Sequence, residues 1–529
     1  QDYTLRRNQE IPEAPVPETC PKEGQLAQYP TLSKLYASDN PQERYWVNEC
    51  VDQLDKRGLR NEKYLSRLEE EADTMDYIGQ QLGTCIFAYP LFMKHYIDLI
   101  WECGSTVGVG RGCFVPNANL VTLGNGKTEK IENIKVGDFV RTIDGTSQQV
   151  INVLSYDCNE DIYKISVCGN GNKPLKNTNN HQYWAMKNKA CPYDRKYCST
   201  VCTRRKQCQH KVNFKKEWVR SDELSVGDYV FYPWQQLPAQ QVFRFDLADY
   251  CKDKTAHYFI QDDNIYCRNT KISFKRFVEI NEDFLYLLGV CIGDGWTSLG
   301  NGGKLGIAFN SSTEKDISSL ERNEMYLSSL GFSTGRCKHK QKNLVQLYCY
   351  NAPFASLMER LIGKGVKNKQ IPENLLYDNK SHMEALLSGL LASDGSYDRS
   401  SLRFSYDRIN YNLISQIKVL CSYLHMYSSI TTRAAHGRDK ESYKLRAYGK
   451  NVQKFLAVYS PHKIESKKNS LNINNVILDE DGYWTKIKKI ETEPYNGKVY
   501  DLTVENNHNY LVNNIIVHNS AGGGLSHYL

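Results

Sequence analysis

Cys113 and the pair Asn519-Ser520 stand at the two ends of one long segment, and each carries a side chain that can make or break an acyl bond. A thiol is both a good nucleophile and a good leaving group. Cys113 can therefore attack the preceding carbonyl and turn the Gly112–Cys113 peptide into a thioester. Ser520 can take over that acyl group through its hydroxyl. Asn519 can close its side-chain amide on its own carbonyl and release the chain before it. Residues 113–519 would then leave, and Gly112 would be joined to Ser520. Read straight across that junction, the sequence is GSTVGVGRG-SAGGGLSHYL, in which two glycine-rich runs read as halves of one interrupted loop.

Such chemistry needs groups that polarise both carbonyls and move protons. Thr178-Asn179-Asn180-His181 supplies a hydroxyl and an imidazole able to hydrogen-bond the Gly112–Cys113 peptide, and His181 can protonate the departing amine. His518 adjoins Asn519 and can assist its cyclisation. Asp501 and His508 can orient these groups or relay protons. Each residue type is common alone, and a lone Cys is most often a small buried apolar side chain. The reading rests on their order, around a split domain and between two halves of a glycine-rich loop.

The elements that must position these residues form a small all-β module. From residue 113 to about 235, short β-like runs alternate with turns, and Val136-Gly137-Asp138-Phe139-Val140 returns as Val226-Gly227-Asp228-Tyr229-Val230. The module's last portion comes only at 487–519, so an insert of about residues 240–480 splits it. That insert has its own repeat: Leu287 to Gly295 matches Leu387 to Gly395, one hundred positions apart throughout. A β-like stretch follows each copy (305–309 and 402–406), then a strand and a helix (345–361 and 443–458).

Both copies end in Asp-Gly. Gly289, Gly293, Gly389, Ala392 and Ser393 are small, so the two helices can approach closely and bring Asp294 and Asp394 side by side. Paired carboxylates there are expected to hold Mg²⁺ and to activate water at phosphodiesters. The plainer alternative is two core helices that happen to end in Asp-Gly turns. A second candidate metal site lies in the β module, where Cys191, Cys198, Cys202 and Cys208 crowd with His210 around Arg204, Arg205 and Lys206. Zn²⁺ is the expected ligand, at spacings that match no standard finger, and a reduced Cys-rich hairpin is the alternative.

Upstream, Pro12, Pro15 and Pro17 mark a loose start. Helical spacing begins at Pro41, continues from Tyr64 and returns over 92–101, stopping near Gly104. The whole chain has 529 residues, 40% hydrophobic, with net charge +7 and 17 Cys. That length suits several domains, and the charge permits nucleic acid as a partner without requiring it. Residues 1–10 are polar, which suggests no signal peptide. No apolar run reaches the roughly 18 residues a membrane span needs. With an odd number of thiols, a cytoplasmic location and no membrane partner are expected.

These motifs resemble known families. Residues 113–519 look like a large intein of the hedgehog/intein horseshoe fold. Cys113 matches the first residue of that family, and Thr178 and His181 match its Thr-x-x-His block. Residues 499–504 with His508-Asn509-Tyr510 match the next-to-last block, and Val517-His518-Asn519 followed by Ser520 matches the last. Residues 275–460 resemble LAGLIDADG homing endonucleases, with Cys291 and Gly293 as departures in the first copy. This resemblance implies a pseudo-twofold α+β domain, a double-stranded DNA substrate and a basic residue near each acidic site, for which Lys342 and Lys444 are candidates. The glycine-rich junction resembles the palm of bacterial C-family DNA polymerase III alpha subunits, with Val109 and Gly524 as departures. The flanks 1–112 and 520–529 then read as fragments of a host polymerase without its catalytic carboxylates, and replisome components become expected partners.

The expected architecture is a mainly helical fragment (1–112), a splicing domain in two parts (113–240, with its Cys-rich insert 191–210, and 485–519), an endonuclease (275–460) and a short tail (520–529). The expected function is self-catalysed splicing with an embedded site-specific double-strand DNA endonuclease. The alternatives are a splicing element whose nuclease is degenerate, a passive DNA-binding module of a polymerase, and a zinc-stabilised interaction domain.

Overall fold

The computed structural model describes residues 26–56, 60–82, 87 and 112–519, with breaks at 172, 194–195, 200–201, 252–256, 269, 271, 301–302, 340–341, 399–400, 436–439 and 459–474. The helix expected at 92–101, the glycine runs at 107–111 and 521–525, and Ser520 lie outside the described residues. The chain divides into two compact units, Gln1–Arg111 with Ser520–Leu529, and Gly112–Asn519. No helix among the described residues is long and apolar enough to cross a membrane.

Among the described residues, the first unit contains three helices, α1 (Pro30–Tyr36), α2 (Pro41–Lys56) and α3 (Glu62–Leu82). Apolar residues at helical spacing (Leu32, Leu35, Val47, Val51, Leu54 and Leu65) are buried together. The Glu69 carboxylate of α3 accepts the N–H groups of Thr31 and Leu32, at 2.6 and 2.8 Å. It thereby satisfies backbone donors in the first turn of α1, where the helix dipole favours negative charge.

In the second unit, the β module begins with β1 (Leu120–Thr122), β2 (Thr128–Lys130), β3 (Phe139–Arg141), β4 (Ser147–Val167), β5 (Leu175–Asn177), β6 (Gln182–Met186), β7 (Lys216–Arg220) and β8 (Tyr229–Pro233). The α/β insert follows, with helices α4 (Glu282–Asp294), α5 (Glu314–Ser329), α6 (Ala352–Ile362), α7 (Lys380–Asp394) and α8 (Tyr411–Tyr423). Its two main sheets are β9 (Gly295–Ser298) to β12 and β13 (Gly395–Asp398) to β16. The intervening strands are β10 (Lys304–Asn310), β11 (Thr334–Lys338), β12 (Leu344–Cys349), β14 (Arg403–Arg408), β15 (Tyr427–Arg433) and β16 (Ser442–Tyr448). The chain then returns to the module through β17 (Gly482–Val504), β18 (Asn509–Val512) and β19 (Ile515–His518).

The module's sheet runs β2-β1-β18-β19-β6-β8-β17-β4-β3, with β5 on β4, β7 on β6 and the strand Val476–Leu478 on β17. Strands from both sides of the insert therefore interleave, so neither part buries its apolar face without the other. The longest pairing joins β4 and β17 from Val150↔Val504 to Val167↔Ile487. The Val-Gly-Asp echo marks two equivalent turns into β3 and β8. Gly137 and Gly227 have φ of +97° and +104°, which favours glycine. The Asp138 and Asp228 carboxylates accept the N–H groups of Lys135 and Ser225, both at 2.8 Å.

The insert repeats one order of elements. A helix ending in Asp leads to two strands, a helix and two more strands, closed by α6 in the first copy and by the 3₁₀ segment Lys450–Val458 in the second. The two sheets are ordered β9-β10-β12-β11 and β13-β14-β16-β15. Helices α4 and α7 touch backbone to backbone. A Cβ on Gly289 would lie 2.4 Å from the Leu386 carbonyl oxygen, and one on Gly389 would lie 2.1 Å from that of Tyr286. The second copy is bonded to the β module: Gly171 N–H donates to the Ile430 carbonyl and Ile430 N–H to that of Gly169, both at 2.8 Å. Lys418 of α8 is buried in the same contact. It donates to the Ser428 carbonyl at 2.8 Å and the Tyr483 hydroxyl at 2.6 Å, and burial pushes its ammonium down to about 7.

Candidate splicing site

The segment after Gly112 enters the module as a short extra strand, with Phe114 bridging to Tyr500 of β17 and to Asn177 at the end of β5. Cys113 is fully buried. Its N–H donates to Thr178 Oγ1 at 2.9 Å, and the Thr178 N–H donates to the Cys113 carbonyl at 2.9 Å. The Thr178 hydroxyl proton goes to Asn180 Oδ1 at 2.8 Å, which leaves the oxygen facing Cys113 as an acceptor.

His181 is buried, with the Phe114 ring edge-on at 4.2 Å between centroids. Burial pushes its imidazole down to about 3, against a hydrogen bond to the Gly112 backbone and with a smaller push from the charge of His518. Its Nε2 has no hydrogen-bond partner among the described residues, so the bond to Gly112 falls to Nδ1. A neutral imidazole there donates to the Gly112 carbonyl. The approach is tight: a Cβ on Gly112 would lie 2.3 Å from His181 Cα.

At the other end, Asn519 is buried beside the turn between β17 and β18, and its N–H donates to the His508 carbonyl at 2.9 Å. With its amide oriented to satisfy both ends, the side-chain nitrogen donates to His508 O at 2.6 Å and the oxygen accepts from Val504 N–H at 2.9 Å. His508 holds that turn with φ of +51°. His518 Nδ1 lies 2.5 Å from the Asn519 carbonyl oxygen, and the His518 ring stands edge-on to Trp218 at 4.8 Å. Asp501 is fully buried on β17 and accepts the Tyr510 hydroxyl at 2.5 Å. The Cys113 sulfur acts on Tyr510, whose hydroxyl is pushed well up by burial and then by Asp501. Tyr510, Asn180, Trp218 and Tyr156 were absent from the sequence-derived set. Tyr510 and Asn180 lie inside its motifs, whereas Trp218 and Tyr156 reach the site only through strand register.

Asp294 and Asp394 end α4 and α7, and a Cβ on Gly293 would lie 2.8 Å from Asp394 Oδ2. Their surroundings are cationic. Arg408 of β14 forms an ion pair with Asp394. Burial pushes Asp294 up, opposed first by Arg408 and then by Lys369. Lys369 Nζ donates to the carbonyls of Cys291, Gly293 and Gly295 at 2.9, 2.8 and 2.7 Å, and so satisfies the end of α4. Burial pushes that ammonium down to about 8.

These facts correct the expected cofactors. Among the described residues, no group of three or more His, Cys, Asp or Glu side chains is arranged to hold a metal ion. Where Mg²⁺ was expected at Asp294 and Asp394, the Asp394 carboxylate is ion-paired with Arg408. The Zn²⁺ expected at Cys191, Cys198, Cys202 and Cys208 finds thiols that border one small cavity without converging as ligands. The Cys198 sulfur instead accepts from the Arg205 guanidinium at 3.3 Å and from Val212 N–H at 3.4 Å.

The family model described as the intein splicing domain matches residues 207–519, more than half of the chain. The chain belongs to the intein splicing domain family. The matched residues include the last three strands of the module and Asn519, whereas Cys113, Thr178 and His181 precede them. Among curated proteins, this chain is similar to the ATP-dependent DNA helicase Hel308 of Thermococcus kodakarensis, with 26% identity over 459 residues covering 78% of this chain and 36% of the helicase. It is also similar to a DNA polymerase of Thermococcus sp. GE8, with 26% identity over 282 residues covering 47% of this chain and 16% of the polymerase. The chain thus spans well under two thirds of the length of these relatives. Among solved structures, the homing endonuclease I-DmoI aligns with a TM-score of 0.27 and 16% identity, covering 34% of this chain and 90% of its own. The N-terminal LAGLIDADG domain of DUF199/WhiA aligns with a TM-score of 0.24 and 15% identity, covering 35% and 84%.

Proposed function

We propose that residues 113–519 excise themselves and join Gly112 to Ser520. The observation that carries this reading is the pair of contacts on one peptide bond: Thr178 takes the Cys113 N–H, and His181 bonds the Gly112 backbone. In the first step the thiol loses its proton and Sγ bonds the Gly112 carbonyl carbon. The Gly112–Cys113 C–N bond breaks and its nitrogen gains a proton, so the step is an isomerisation without added reagent. His181 polarises the carbonyl and Thr178 fixes the leaving nitrogen. Ser520 then takes the acyl group. The Asn519 side-chain nitrogen attacks its own carbonyl carbon, with His518 beside that carbonyl oxygen to protonate the released amine, and Asp501 and His508 support the two junctions. The Gly112–Ser520 ester rearranges to a peptide.

Under this reading 113–240 and 485–519 are the two parts of a hedgehog/intein horseshoe. Residues 1–112 and 520–529 are host fragments, and the glycine-rich junction favours a polymerase III alpha host in the cytoplasm. Intact mass after expression tests the excision. Residues 113–519 alone and a joined flank product are expected, and replacing Cys113 and Asn519 with Ala should keep the chain whole. A chain without those replacements that stays at full mass overturns the reading.

A second reading, binding and cutting of double-stranded DNA by residues 275–460, is favoured by the repeated α/β units. Their strands carry Arg336, Lys338, Arg403, Lys444 and Arg446, and pseudo-twofold symmetry would present both sheets to a duplex. Retention of a DNA duplex on a gel, together with plasmid cleavage lost in Asp294→Asn, tests it. Binding without cleavage would leave a DNA-binding module.

A further inference from the structure

The sulfur of Cys113 lies in a small apolar cluster with Val115, Cys158, Ile162 and Val499. Such surroundings disfavour a thiolate, so a thiol that must attack needs a compensating donor. Strand register brings one. Phe114 N–H donates to the Tyr500 carbonyl at 2.7 Å and Tyr500 N–H to the Phe114 carbonyl at 2.9 Å, an antiparallel bridge that sets Cys113 opposite Asp501 and Val115 opposite Val499. On the other side of β17, Val499 is paired with Tyr156 of β4. Val499 shares the buried cluster of Cys113, and the Tyr156 hydroxyl hydrogen-bonds the Cys113 side chain. Burial, then the charge of Cys113, pushes that hydroxyl up, so at neutral pH it holds its proton and donates it.

The other titratable groups facing Cys113 are engaged elsewhere or set back. On β4, Cys158 contacts the Glu160 carboxylate at 3.6 Å. On β17, Asp501 accepts from Tyr510 of β18 at 2.5 Å, and the Tyr495 hydroxyl donates to the Lys498 carbonyl at 2.7 Å. His181 bonds Gly112.

We propose that Tyr156 is a catalytic residue of the first acyl shift, its O–H holding Cys113 Sγ and stabilising the thiolate until it attacks the Gly112 carbonyl. The phenol keeps its proton throughout, and the bonds made and broken are those of the isomerisation described above. The inference rests on the splicing reading.

The test uses the full chain with Asn519→Ala, which retains the N-terminal junction, with and without Tyr156→Phe. Cleavage at Gly112 by dithiothreitol is followed by mass across pH 6–10. The ratio of the two rates removes the reagent's own ionisation. A donor to a charged sulfur lowers its pKa by about one unit, so Tyr156→Phe should be about tenfold slower at pH 7, with the ratio approaching one toward pH 10. A ratio of one at every pH overturns the role of Tyr156 and leaves splicing standing. A ratio below one but flat with pH also overturns it, since mere structural damage has no such pH signature. Absence of cleavage in both chains overturns the splicing reading itself. Should Tyr156→Phe fail to fold by circular dichroism, 3-fluorotyrosine at 156 is a stronger donor of nearly the same shape. It should move the profile to lower pH, and an unmoved profile overturns the role.

Discussion

Cys113 and Thr178 are joined twice: the Cys113 N–H donates to Thr178 Oγ1 and the Thr178 N–H to the Cys113 carbonyl, each at 2.9 Å. The backbone bond fixes register, and the side-chain bond fixes the nitrogen that leaves in the proposed first step. Thr178→Val keeps the shape and the backbone bond but strands a buried N–H, at a cost of about 1–3 kcal/mol. Dithiothreitol cleavage at Gly112 should slow by about tenfold or more, while the thermal midpoint falls only by a few degrees.

His181 ties stability to pH. Its folded pKa, at about 3, lies below the value near 6.5 of an unfolded histidine. The unfolded chain binds the extra proton between those values, so this contribution is complete above about pH 6.5 and is lost as pH falls toward 3. In a Cys113→Ala, Asn519→Ala chain, the slope due to His181 should reach about 1.4 kcal/mol per pH unit in that window. His181→Gln should flatten the dependence of the denaturation midpoint between pH 4 and 6.5. An unchanged slope would mean that the ring is solvated.

Much of the candidate site was legible because its members sit in local motifs whose chemistry is specific to residue type. Cys113, Thr178, His181 and Asn519 each need one functional group, and each motif also predicts the strand or turn that presents it. Tyr156 carries no such mark, because the role proposed for it depends on the pairing of β4 with β17 across residues far apart in the sequence. The paired helices were legible from Gly289 and Gly389, whose spacing speaks of backbone contact. The cofactor expectation failed because a carboxylate pair or a thiol cluster reads alike whether a metal or an arginine fills it. Arg408 and Arg205 supply the charge that the one-dimensional pattern had assigned to ions.

Helices α4 and α7 leave no room for a side chain where they cross. Gly389→Ala puts a methyl 2.1 Å from the Tyr286 carbonyl oxygen and forces the helices apart. A loss of at least about 1–3 kcal/mol is expected, seen as a lower thermal midpoint and faster proteolysis within 280–460. Gly300→Ala, with nothing within 4 Å of its Cβ, is the matched control and should change neither.

Arg408 forms an ion pair with Asp394 and offsets the charge of the neighbouring Asp294. Arg408→Ala leaves Asp394 uncompensated beside Asp294 and should cost about 3–5 kcal/mol. Adding Asp394→Asn removes the stranded charge and should recover most of that loss. A double variant no better than the single one would assign the cost to lost packing of the arginine stem.

The close fit of Gly112 against His181 constrains the residue that precedes Cys113. Any residue other than glycine ahead of Cys113 would have to displace the histidine backbone. Under the splicing reading, such an element fits behind a glycine, so a glycine-rich loop is a natural home for it, and a fusion made elsewhere should begin by supplying that one residue.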